Sequence, residues 1–136
     1  MGIKPTQPRT LVADDSDSMR QMLTMMLKKF GITEIIQASD GDQAIEILKG
    51  GEIGLLLLDW VMPRMDGAAV LRAIRTDAVL CSLPVVLITG NADCEVAKAV
   101  TSPELRADAI LIKPLTYATF QEKLASVIAR PALATA

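Results

Sequence analysis

The sequence predicts a single α/β domain, a doubly wound (βα)5 sandwich around a five-stranded parallel sheet. Three observations predict it. Short apolar runs alternate with amphipathic segments along the 136 residues, as strands and helices do when they take turns. One run, "IGLLLLD" (53–59), is continuously apolar until its last residue, as a strand covered on both faces must be. Groups able to do chemistry stand where four of the five strands end: Asp14-Asp15, Asp59, Thr89 and Lys113.

"TLVA" (10–13) is the first strand and runs into Asp14-Asp15. In "SDSMRQMLTMMLKKFG" (16–31), Met19, Met22, Leu23, Met26, Leu27 and Phe30 recur at helical spacing, so they share one face. Ser16 or Asp17 can cap that helix and Gly31 can end it. Its methionine-rich stripe reads as core packing. "TEIIQA" (33–38) is a weaker second strand, expected at an edge, and "GDQAIEILKGG" (41–51) a short helix with Ala44, Ile45 and Leu48 on one side. Gly50-Gly51 stops it. After the third strand, "GAAVLRAIRT" (67–76) is the third helix, "PVVLITG" (84–90) the fourth strand and "DCEVAKAV" (93–100) the fourth helix. "ADAILIK" (107–113) is the fifth strand, and Thr116 caps a last helix that aligns Phe120, Leu124, Val127 and Ile128. Residues 1–9 and 131–136 are expected as a loose N-terminal segment and a C-terminal tail around a domain of 10–130. Lys28, Lys29, Arg72 and Arg75 read as solvated helix faces.

Composition narrows the function. A chain that is 51% hydrophobic with a net charge of −2 is globular and carries no basic footprint for nucleic acid or for a membrane surface. No apolar run approaches the roughly 20 residues of a bilayer span, and "MGIKPTQPRT" has no apolar signal region. Cys81 and Cys94 lack metal-type spacing and read as free thiols of a cytoplasmic protein. There is no histidine, which excludes Ser-His-Asp and Cys-His sites, histidine-ligated metals and a histidine phosphocarrier.

The strand-end residues supply a chemistry. With strand order 2-1-3-4-5, the crevice outside the carboxyl ends lies where the order reverses, and all five residues converge on it. Three carboxylates there repel one another, and an octahedral Mg²⁺ relieves that repulsion. An Asp oxygen so placed can attack phosphorus to give an aspartyl phosphate. The transferred group needs an ammonium and a hydroxyl donor around it, which Lys113 and Thr89 provide. An acid at the end of four leucines is costly in itself; Mg²⁺ and Lys113 compensate Asp59, and the buried strand makes it rigid.

"ADDS", "LLLLDWVMPRMDG", "LITG" and "ILIKPL", in this order and register, resemble the receiver domain of bacterial two-component response regulators, in the CheY-like style of the flavodoxin/CheY-like fold. The resemblance covers roughly residues 10–130 and rests mainly on the D-x-x-M-P-x-M-D-G segment joined to the other three. It implies that Asp59 is the phosphoacceptor, and that Asp15, Asp59 and the backbone carbonyl of Val61 ligate Mg²⁺ with Asp14 acting largely through water. It implies that Thr89 and Lys113 bind the phosphoryl group and that the Lys113–Pro114 bond is cis. The donor is then a sensor histidine kinase or a histidine phosphotransfer protein, and the output an unidentified protein contacted by a stand-alone monomer. Such a chain is no enzyme beyond self-phosphorylation and slow autodephosphorylation.

Two positions and one segment depart from the family pattern. Ile110 stands where relatives carry an aromatic switch residue, so coupling from site to output is expected to run differently. Val61 is apolar where many relatives are polar; the resemblance implies that this position and Asn91 flank the path of attacking water, so slow self-dephosphorylation is expected. "SPELRADA" (102–109) replaces the usual short glycine-containing approach to the fifth strand. Trp60 is expected to pack over the site mouth rather than anchor a partner. Rival readings are a receiver-like module that binds partners without phosphorylation, a receiver domain cut from a larger regulator, an Asp-nucleophile phosphohydrolase and an FMN binder. The phosphohydrolase reading expects a D-x-D around its nucleophile, which Asp59 lacks, and acids after the first strand disfavour a flavin phosphate.

Overall fold

The computed structural model describes residues 7–90, 96 and 101–128. Its elements are β1 (Thr10–Ala13), α1 (Asp17–Phe30), β2 (Ile35–Ala38), α2 (Gly41–Lys49), β3 (Leu55–Asp59), α3 (Gly67–Arg75), β4 (Val85–Thr89), β5 (Ala109–Ile112) and α4 (Tyr117–Ile128). The five strands form one parallel sheet of order β2-β1-β3-β4-β5. The fold is the doubly wound α/β class expected, with β2 at an edge. Most of the expected fourth helix (93–100), with Asn91 and Cys94, lies outside the described residues, as does the tail 131–136.

Strand parity sorts the core into two layers, because successive side chains face opposite sides of the sheet. Leu11, Leu56, Leu58, Val85 and Leu87 pack on α2 and α3 through Ala44, Leu48, Val70, Leu71 and Ile74. Val12, Leu55, Leu57, Val86, Ile88 and Leu111 pack on the opposite side against Leu23 and Leu27 of α1 and Phe120, Leu124 and Val127 of α4. Every residue of β3 is buried, which is why its sequence is continuously apolar rather than alternating.

The helix boundaries follow their capping residues. Ser16 accepts the Met19 N–H at 3.2 Å, Asp40 the Gln43 N–H at 2.8 Å, and Asp66 the Ala69 N–H at 2.9 Å, each satisfying a donor left over in a first turn. Gly31 closes α1 at φ 116°, in the left-handed region where a Cβ is unfavourable. In the methionine stripe, Met19 and Met26 pack on the core as expected, whereas Met25, off the stripe, is 70% exposed. Among the described residues no helix is long and apolar enough to cross a membrane.

One expectation is corrected. Arg75 is not a solvated face residue: its side chain is 3% exposed. Its Nε donates to the Arg106 carbonyl at 2.8 Å, and its Nη1 to the carbonyls of Leu83 at 2.8 Å and Cys81 at 3.1 Å. Its Nη2 faces Asp108 Oδ2 at 3.5 Å, and that same oxygen accepts the Val85 N–H at 2.8 Å. Burial pulls the guanidinium below its ordinary pKa. Arg75 thus ties the end of α3 to the approaches to β4 and β5, the segments that include "SPELRADA". Helical periodicity could not reveal this, because the acceptors are backbone carbonyls of the two loops that precede β4 and β5.

Candidate functional site

Register carries the strand-end residues to one rim of the sheet. Ala13 pairs with Leu58, Asp59 with Ile88, and Thr89 with Ile112. Asp14 therefore stands level with Asp59, while Thr89 and then Lys113 each extend one step further. The ladder continues past the strands to fasten this rim: Asp14 N–H donates to the Ala38 carbonyl at 3.1 Å, Trp60 N–H to that of Ile88 at 2.9 Å, and Lys113 N–H to that of Thr89 at 2.8 Å. Asp14, Asp59 and Lys113 continue the parity of the α1/α4 layer; Thr89 continues the parity of the α2/α3 layer.

The three carboxylates converge. One oxygen each from Asp14, Asp15 and Asp59 lie within 4.8 Å of one another. Asp14 is 1% exposed and Asp59 5%, while Asp15 is open to solvent. Asp14 Oδ1 accepts the Ser16 N–H at 2.9 Å. Its other oxygen, Oδ2, is buried without a hydrogen bond and faces the Lys113 ammonium at 3.9 Å. That ammonium also lies 3.4 Å from Asp59 Oδ1.

Burial pushes the Asp14 carboxyl above its ordinary value, against the pull of the Ser16 N–H and Lys113. Asp59 is raised first by burial and then by the Asp14 charge, with Lys113 and the Val61 N–H opposing. An orphaned buried carboxylate oxygen, within a cluster of three hard oxygen donors, fits a hard divalent cation such as Mg²⁺.

The loop after Asp59 is held by close backbone approach. Gly67 N–H donates to the Trp60 carbonyl at 2.9 Å, and a Cβ at Gly67 would lie 2.8 Å from the Asp59 carbonyl oxygen. Only hydrogen fits there. On the other side, a Cβ at Gly41 would meet the Met65 carbonyl oxygen at 2.2 Å, so the loop is pressed against the first turn of α2. Trp60 is partly buried against the α2/α3 layer, as is Ile110. Val61 is 71% exposed. The Lys113–Pro114 bond is cis.

The structure thus brings Asp14, Asp15, Asp59 and Lys113 together, with Thr89 at the same rim and 3% exposed. Sequence reasoning passed over Arg20, whose guanidinium donates to the Asp14 carbonyl at 2.7 Å. Its signal was slight, a single cation one turn after the acid pair.

Comparison with known proteins agrees with this architecture. Residues 10–125 match the family model described as "Response regulator receiver domain". The chemotaxis protein CheY-3 of Vibrio cholerae serotype O1 is 34% identical over 122 residues, which cover 90% of this chain and 92% of that protein. The chemotaxis protein CheY of Pseudomonas aeruginosa is 31% identical over 122 residues, 90% of this chain and 97% of that protein. Among solved structures, the V. cholerae chemotaxis protein CheY4 superposes with a TM-score of 0.81 at 26% identity, covering 90% of this chain and 99% of that one. With the sheet order, the rim and the matched residues in accord, the chain belongs to the response regulator receiver domain family and is CheY-like.

Proposed function

We propose that this receiver, a domain of residues 10–130, accepts a phosphoryl group on Asp59 from the phosphohistidine of a sensor kinase or phosphotransfer protein. The P–N bond to the donor imidazole breaks and a P–O bond to an Asp59 carboxylate oxygen forms. The observation that supports this reading best is the convergence of three carboxylates within 4.8 Å beside the Lys113 ammonium. Asp15, Asp59 and the Val61 carbonyl would hold Mg²⁺, with Asp14 contributing largely through water. When bound, the ion supplies positive charge beside the oxygens of the transferred group.

The protein's own groups do the rest. β3 fixes the Asp59 carboxylate at a buried strand end, so little orientational freedom is lost on attack. The Lys113 ammonium, shared between Asp59 and Asp14, is placed to pair with a phosphoryl oxygen as charge develops on it. The Thr89 hydroxyl donates to another. Phosphorylation then shifts the domain between two conformations and changes what it binds. We place this activity in the cytoplasm, in a monomer whose output is contact with another protein. The relatives named above are chemotaxis proteins, which makes motility control the first pathway to test.

Fluorescence of Trp60, the only tryptophan, tests the reading directly. Titration with Mg²⁺ and then with beryllofluoride or acetyl phosphate is expected to give two saturable changes, the second absent in Asp59→Asn. A silent second step with both donors and with a phosphorylated kinase would overturn phosphoacceptance and favour a module that binds without it.

A further inference from the structure

We infer that Arg20 is a positioning residue for the acidic pair, locking the Asp14-Asp15 turn to the edge strand through a closed hydrogen-bond ring. The inference rests on the proposed reading of that pair as a Mg²⁺ site. Three nitrogens of the guanidinium are engaged in three directions. Nη1 donates to the Asp14 carbonyl at 2.7 Å, Nε donates to Gln37 Oε1 at 3.0 Å, and Nη2 pairs with Asp17. Gln37 Nε2 in turn donates to Thr24 Oγ1 at 3.2 Å, and that hydroxyl donates to the Arg20 carbonyl at 2.8 Å. The ring Arg20–Gln37–Thr24 joins α1 to β2, and its open arm holds the peptide between the two acids.

The Arg20 side chain is 13% exposed, and bonds in three directions constrain its geometry. Asp15 is itself exposed, and among the described residues no hydrogen bond secures its carboxylate. Its position depends on the peptide before it, whose carbonyl is the Asp14 oxygen that Arg20 grips. An outer group that orients metal ligands in this way typically changes metal affinity about 10- to 100-fold when removed. A lysine in its place keeps the charge but cannot span both acceptors.

The test compares wild-type protein with Arg20→Gln, Arg20→Lys and Gln37→Leu. Each is titrated with Mg²⁺ by Trp60 fluorescence and melted in EDTA. Both Arg20 variants are expected to bind Mg²⁺ about 10- to 100-fold more weakly while melting within a few degrees of wild type. Gln37→Leu, at an exposed position, should weaken binding by a smaller factor and add little to Arg20→Gln in the double variant. Should an Arg20 variant fail to fold, Gln37→Leu decides alone: unchanged Mg²⁺ affinity overturns the inference. Variants that bind as wild type does but melt lower show a purely structural arginine and overturn it as well. A wild-type protein with no saturable Mg²⁺ response would instead sink the metal reading, and the inference with it.

Discussion

The Lys113 ammonium lies 3.4 Å from Asp59 Oδ1 although β4 stands between their strands in the sheet. Both residues continue the α1/α4 parity, so the lysine reaches over the end of β4 to a carboxylate two strands away. The pair is intermediate in burial, with side chains 32% and 6% exposed. Its coupling should therefore fall between that of an exposed pair and a buried one.

A double-mutant cycle of Lys113→Ala and Asp59→Asn, read by urea unfolding without Mg²⁺ at neutral pH, is expected to give a coupling of about 1–2 kcal/mol. A cycle that closes to zero would mean that the ammonium and the carboxylate do not feel each other in the folded protein.

The carboxyls of Asp14 and Asp59 both sit above the ordinary 3.8, burial being the largest cause for each. The folded protein then holds these protons more tightly than the unfolded chain does. Stability from this source is present below the unfolded value and is lost as pH rises through the raised folded values. In EDTA, this contribution should grow as pH is lowered from neutral toward about 4. Asp14→Asn removes one desolvated charge while keeping an acceptor for the Ser16 N–H. It should melt roughly 3–5 °C higher than wild type at neutral pH in EDTA, with a flatter acid profile. A variant that melts lower, with an unchanged profile, would show that the Asp14 charge favours the folded state.

Gly67 meets the acceptor loop through backbone alone. A methyl group there would press on the Asp59 carbonyl oxygen at 2.8 Å and the Trp60 Cα at 2.9 Å, atoms that cannot rotate aside. Gly67→Ala is expected to cost about 1–3 kcal/mol and to shift Trp60 emission, because the loop must lift from the start of α3. Unchanged emission and stability would mean that α3 moves freely relative to Asp59.

Most of this fold was legible because strand ends, caps and core faces are local signals. Ser16 and Gly31 bound α1 where the sequence places them, and the apolar run of β3 marks a strand buried on both sides. The candidate site was legible for a related reason: parallel strands deliver consecutive C-terminal residues to one rim, so register does the assembling. What escaped were side chains whose partners are backbone carbonyls outside their own helix. Arg75 bonds carbonyls of Leu83 and Arg106, and Arg20 bonds the Asp14 carbonyl. A cation on a helix looks the same in sequence whether it meets water or a buried carbonyl, and only the fold distinguishes them. β2 is shorter than the run that predicted it, starting at Ile35, since an edge strand has only β1 to pair with.

Val61 bears on how long a phosphoryl group would last. It stands two residues after Asp59, its backbone N–H bonds that carboxylate, and its side chain is 71% exposed. An apolar side chain at the mouth of the site offers no hydrogen bond to water approaching phosphorus. An asparagine there offers both a donor and an acceptor. Val61→Asn is expected to shorten the phosphoryl lifetime several-fold, followed as the return of Trp60 fluorescence once the donor is removed. Stability should change by no more than about 0.5 kcal/mol, since the side chain makes no buried contact. A half-life for wild type no longer than that of Val61→Asn would show that side-chain polarity at this position does not govern water attack, and that the lifetime is set elsewhere in the site.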